Sequence, residues 1–268
     1  MRTFVTRIAV LAAAALVVLA TPSAAQESAR IHLIHGIPDT PVDVVAGGEV
    51  VFADFQFGDT QDLSGLAGQT LPGLTVNAAG TDTVAIDAGD TALPASGNYT
   101  IIAHLDAEGT PTLAVFENDT SAIAAGEGRV TVRHTAAAPA VDVLANGEAA
   151  FTSLSNPNEA SADLPVGTIS ASVVPAGAAD PVVIGPADLG ITDGTSLIVY
   201  AVGSLDAGSL TVLTESIDGL GTAPTAVNTG NSPVTDDAGL PVGLLALAGV
   251  ALLAAAVPAR RLVAARVR

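Results

Sequence analysis

The chain has no cysteine, no lysine and no tryptophan, and its aromatic side chains are limited to six phenylalanines and two tyrosines. Without cysteine there can be no disulfide staple, thiol nucleophile or thiolate metal site, so each folded unit must bury enough apolar area unaided. All nine cations are arginines. Between Glu27 and Asp237 only Arg30, Arg129 and Arg133 stand against all 27 acidic residues. A field of that sign repels phosphate backbones and excludes nucleic acid as a partner, while fitting a solvated, self-repelling surface. The scarcity of rings leaves polysaccharide recognition without the stacking platforms that sugar-binding proteins usually use, though it does not exclude it. Also missing are a Gly-x-Ser-x-Gly elbow, a phosphate-cradling loop and a dinucleotide fingerprint set between strand and helix. No catalytic, cofactor-binding or metal-binding residue is therefore assigned, no cofactor is expected, and the chain reads as non-enzymatic.

The two ends carry addresses. Arg2 and Arg7 precede the apolar run Ile8–Ala20, then Thr21-Pro22 and the small residues Ser23-Ala24-Ala25. That order is expected of a secretory signal occupying 1–25. Residues 240–257 form an uncharged apolar stretch just long enough to span a bilayer, and Arg260, Arg261, Arg266 and Arg268 follow it. Arginines flanking a span stay in the cytoplasm, so the tail 258–268 is expected inside and everything before the span outside. Leu240-Pro241 resembles the start of a Gram-positive wall-sorting signal. Gly243-Leu244 stands where that signal needs Thr-Gly, which favours retention as a membrane anchor. The segment 219–239, rich in Gly, Pro, Thr, Asn and Asp, reads as a disordered stalk.

Between these ends one pattern occurs twice. Arg30, His35, Val42, Asp43, Val44, Gly48, Glu49 and Phe52 recur 99 positions later as Arg129, His134, Val141, Asp142, Val143, Gly147, Glu148 and Phe151. A recurrence of that length implies two tandem domains, 26–119 and 129–218, joined by a short flexible link at 120–128. Apolar residues alternate with polar ones, Ile31/Leu33 against His32 and Val130/Val132 against Thr131. This period of two predicts strands with one face on a core and one face wet. Gly47-Gly48 and Asn146-Gly147 are placed to form type I′ hairpin turns. The expected fold is all-β: two Ig-like antiparallel β-sandwiches, with helices only at the signal and the transmembrane anchor.

Arg129-Val-Thr-Val-Arg-His134, Pro139-Ala-Val-Asp-Val143 and Asn146-Gly147 resemble the opening of the bacterial DUF4397 domain. Ala201-Val202-Gly203-Ser204-Leu205-Asp206 resembles its end, and the first copy is similar but more divergent. The resemblance covers most of 30–218. It implies an exported, often repeated, β-rich module with no catalytic residues.

Three functional readings follow. The first is a structural or interaction element of the cell envelope, with the membrane and envelope proteins or polymers as partners. The second is divalent-cation or small-ligand binding, suggested by Asp39, Asp43, Asp54, Asp59 and Asp62 in one acidic stretch. The third is a hydrolase using His35/Asp43 or His134/Asp142, a His and a carboxylate eight residues apart in each copy. Against the third, an imidazole at a strand end more simply bonds a backbone group and fixes the turn. His32 and His35, three apart on a strand, face opposite ways and cannot share a metal.

Overall fold

The computed structural model describes residues 27–222. The expected signal, anchor and basic tail lie outside the described residues, as does the stalk beyond Thr222. Eight strands come first: β1 (Arg30–His35), β2 (Val42–Ala46), β3 (Glu49–Phe55), β4 (Thr60–Asp62), β5 (Thr70–Ala78), β6 (Val84–Ala92), β7 (Asn98–Leu105) and β8 (Pro111–Glu117). Eight more follow: β9 (Glu127–His134), β10 (Val141–Ala145), β11 (Glu148–Leu154), β12 (Glu159–Pro165), β13 (Gly167–Pro175), β14 (Ile184–Ile191), β15 (Ser196–Val202) and β16 (Thr211–Ile217). Among the described residues the only helical turn is a 3-10 turn at Ser64–Leu66.

The first eight strands form two sheets, ordered β4-β1-β7-β8 and β3-β2-β5-β6. The second eight repeat the arrangement as β12-β9-β15-β16 and β11-β10-β13-β14. In each half the two sheets close on an apolar interior. Ile31, Leu33, Val42, Val44, Leu74, Val76 and Ile101 fill the first. Val130, Val132, Val141, Val143 and Val173 fill the second. The predicted hairpins are present: Gly47 and Gly48 have φ of 62° and 79°, and Asn146 and Gly147 have 52° and 85°. They set Ala46 opposite Glu49 and Ala145 opposite Glu148.

Three expectations need correction. First, the sheets are not wholly antiparallel, because β1 runs parallel to β7 and β9 parallel to β15. A parallel pair needs a long crossover. Here the excursion through β2–β6, or through β10–β14, supplies it. Second, the wet face of the alternating strands is not wet. Ile34, Ile102 and Phe116 pack with Ile198, Tyr200 and Val202 into a third core, so the sheet containing β1 lies against the sheet containing β9. The described residues thus stack as four sheets, and the two inner ones are covered on both faces. Third, the segment between the halves is not a loose link. Ile123 is 0% exposed. Its amide donates to the Leu220 carbonyl, and its own carbonyl accepts from Thr222. The opening residues of the expected stalk are thus bonded into the fold.

Candidate functional site

His35 ends β1 and His134 ends β9, both buried. Nε2 of His35 donates to the Thr40 carbonyl at 2.6 Å, and Nε2 of His134 to the Pro139 carbonyl at 3.1 Å. Each imidazole therefore fixes the turn after its strand. Burial pushes both below the ordinary histidine range, so both are neutral at neutral pH.

The aspartates paired with them in sequence do different work. Asp43 accepts the Asp54 amide on one oxygen and the Gly80 amide on the other, both at 2.8 Å. Asp142 does the same with Ser153 at 2.7 Å and Gly177 at 2.9 Å. These amide bonds hold both carboxyls below the usual carboxylate range. Opposite each aspartate the ladder carries a β-bulge, in which Asp54 and Ser153 take φ of 53° and 55°. A left-handed non-glycine residue is strained, and the carboxylate steadies the bulge that contains it. Neither His–Asp pair forms a dyad, since each partner bonds main chain instead.

The acidic stretch does not converge either. Asp43 is engaged as described, while Asp59 accepts the Gln56 amide, Asp54 the Gln56 side chain and Asp62 the Ser64 amide. Among the described residues no three His, Asp or Glu side chains are grouped to hold a metal ion.

The polar constellation that does converge lies between the halves. Glu215 on β16 accepts from His32 Nδ1 at 2.6 Å, Thr100 Oγ1 at 2.8 Å and the Tyr200 hydroxyl at 2.9 Å. Arg133 donates to the Tyr200 oxygen and to Glu159, each at 2.7 Å. Its guanidinium also lies 4.3 Å from the Phe116 ring centroid. Burial pushes the Tyr200 phenol up, keeping it a donor to Glu215. Arg133 is only 1% exposed. An arginine so deeply enclosed is tolerable because carboxylate, phenol and ring face all meet it.

The strand registers show that the two sides of this seam occupy corresponding places. Ile34 pairs with Ile102 across β1/β7, and their counterparts Arg133 and Tyr200 pair across β9/β15. Phe116 and Glu215 likewise occupy matching places, opposite Thr100 and Ile198. Equivalent positions are apolar on one side of the seam and polar on the other. Nearby, Arg129 makes a bidentate pair with Asp163 and also reaches Asp119 and Ser121, tying down the connecting segment. Sequence reasoning gave Tyr200 and Glu215 no role because neither falls in a motif, and it gave Arg133 no partner although the residue lies in the segment Arg129–His134. The only available signal was arginine inside a β-strand pattern in an otherwise acidic chain.

Each half also contains a cavity between its own two sheets, of about 150 Å³ in the first and about 250 Å³ in the second. Its walls are almost wholly apolar.

Among the described residues no helix is long and apolar enough to cross a membrane. Among curated proteins none matches this chain. A family model does match residues 29–144, which take in the whole first half and continue through β9 and β10. The likeness expected over 145–218 lies beyond the matched residues. His35, Asp43 and the Gly47-Gly48 turn thus belong to a domain of unknown function, DUF4397, found at residues 29–144.

Proposed function

We propose that this chain is a non-enzymatic surface protein, exported and held in the membrane by residues 240–257. Its two related β-sandwich modules, the products of a tandem duplication, would act as one structural or interaction element of the cell envelope. The observation that carries this reading is what the polar side chains bond. His35, His134, Asp43 and Asp142, the residues best suited to chemistry, all hold main-chain groups in place. Among the described residues most of the other carboxylates are exposed, with Glu215 in the seam as an exception, and a solvated envelope module suits such a surface.

The test is made in the source cell. The full chain carrying a cross-linker is recovered from intact envelopes, and external protease reports which side the β-domains occupy. Specific capture of envelope proteins or polymers, with the β-domains accessible from outside, is the expected result. Domains reached only after lysis, or capture no greater than from an unrelated acidic surface protein, would dismiss the reading.

A further inference from the structure

The cavity in the second half is larger than its counterpart for a reason written in the sequence. Leu33 and Ile101 pair across β1/β7, where the second half pairs Val132 with Val199. Leu113, opposite Ala103, corresponds to Val212, opposite Ala201. Leu74 lies two residues before Val76, the partner of Val44, and Ala171 lies two before Val173, the partner of Val143. At all four wall positions the second half has the smaller side chain, by one carbon at three of them and by three at the fourth. Both halves keep the same strand order, so the second sandwich is the hollower of two with the same frame.

We infer that this hollow is a binding site for a single hydrocarbon chain. Three observations support that occupant. Ser172 is the only polar residue among those lining the cavity, so the interior offers one hydroxyl and no partner for a charged group. Its volume lies below the roughly 300–1,000 Å³ of sites that take drug-sized ring systems. It is not sealed, because exposed Ala150 on β11 and Ala187 on β14 lie on its wall and give a chain an apolar entrance. A smaller void of about 50 Å³ shares Val173, Ile184 and Ala201 with it and extends the apolar path toward His134. The bound amphiphile keeps its headgroup outside, where exposed Asp188 adjoins Ala187 and Glu148 lies two residues from Ala150. That rim selects a neutral head over an anionic one. The site is independent of the envelope reading, since the partner capture proposed above does not depend on an occupied cavity.

The test uses the full chain held in fluorinated surfactant, free of hydrocarbon detergent, and titrated with 1-hexanol, 1-octanol, 1-decanol and 1-dodecanol. Laurate is run beside them. A native-state ligand raises Tm by mass action. The expected result is a Tm rise that grows with chain length and levels off once the hollow is filled, with dodecanol binding at least tenfold tighter than laurate. Ala171→Leu, which restores the side chain of the first half, should weaken dodecanol binding at least tenfold without lowering Tm. Val212→Leu gives the same reading should the first variant fail to fold. No Tm change with any alcohol up to its solubility limit overturns the site. So does undiminished dodecanol binding by a folded filled variant, and laurate binding tighter than dodecanol overturns the neutral head.

Discussion

Tyr200 shows most directly how individual side chains hold this protein together. Its buried hydroxyl receives Arg133 and donates to Glu215 in the seam between the halves. Tyr200→Phe keeps the ring against Phe116 but leaves a guanidinium N–H without that acceptor and a carboxylate without one donor. The expected cost is about 1–3 kcal/mol, the range for stranding a buried polar group. Urea unfolding should show this as a lower midpoint with an unchanged slope, and an unchanged midpoint would mean that water replaces the hydroxyl. Part of this scale was legible beforehand. A histidine at a strand end followed by a turn has few options, and its bond to the Thr40 or Pro139 carbonyl is local, five residues away. The partners of Glu215 were not legible. His32 is 183 residues distant and Thr100 is 115, and no local pattern encodes a contact made by docking two sheets.

At the scale of elements, glycine substitutions separate conformational strain from collision. Gly147 turns the β10/β11 hairpin at φ 85°, with nothing within 4 Å of where a Cβ would sit. Gly147→Ala should therefore cost only the left-handed penalty, about 1–2 kcal/mol. Gly203, just after β15, also has positive φ, but a Cβ there would meet the main chain of Ser209. Gly203→Ala should lower Tm several times as much in the same thermal melts, and equal losses would contradict the packing at that corner. Strand positions and both hairpins could be read from the alternation and from the Gly-Gly and Asn-Gly pairs. The parallel pairing of β1 with β7 could not, because alternation fixes which face is apolar and not which neighbour a strand takes.

At the scale of the whole molecule, the response to acid follows from histidines buried as neutral groups. His35, His104 and His134 all lie below the ordinary value of 6.5, chiefly through burial. A base with a depressed folded pKa takes up its proton more readily when unfolded. Stability is thus full above about 6.5 and falls as pH drops below it, by up to about 1.4 kcal/mol per pH unit for each histidine. Asp43, Asp62, Asp119 and Asp142 lie below their ordinary 3.8, through hydrogen bonds to main-chain amides and serine hydroxyls. Their contribution is present above that value and is lost as pH falls beneath it. Two descending steps are expected when unfolding free energy is measured from pH 8 to pH 3. A His134→Asn variant should flatten the upper step, and a flat profile between pH 7 and pH 5 would refute the argument. The acidic excess visible in the composition gave no hint of the upper step, which depends on the fold enclosing His35, His104 and His134.

The pairing of Ile123 with residues 220–222 bears on where this protein can be cut. Leu220 bonds both Ile123 and Gly194, so the departing polypeptide pins the connecting segment against the second sandwich. A product trimmed after Thr222 keeps that stitch. One trimmed at Ile217 retains every strand yet uncovers a wholly buried isoleucine, so it should loosen the connecting segment and become sticky although no strand has been removed.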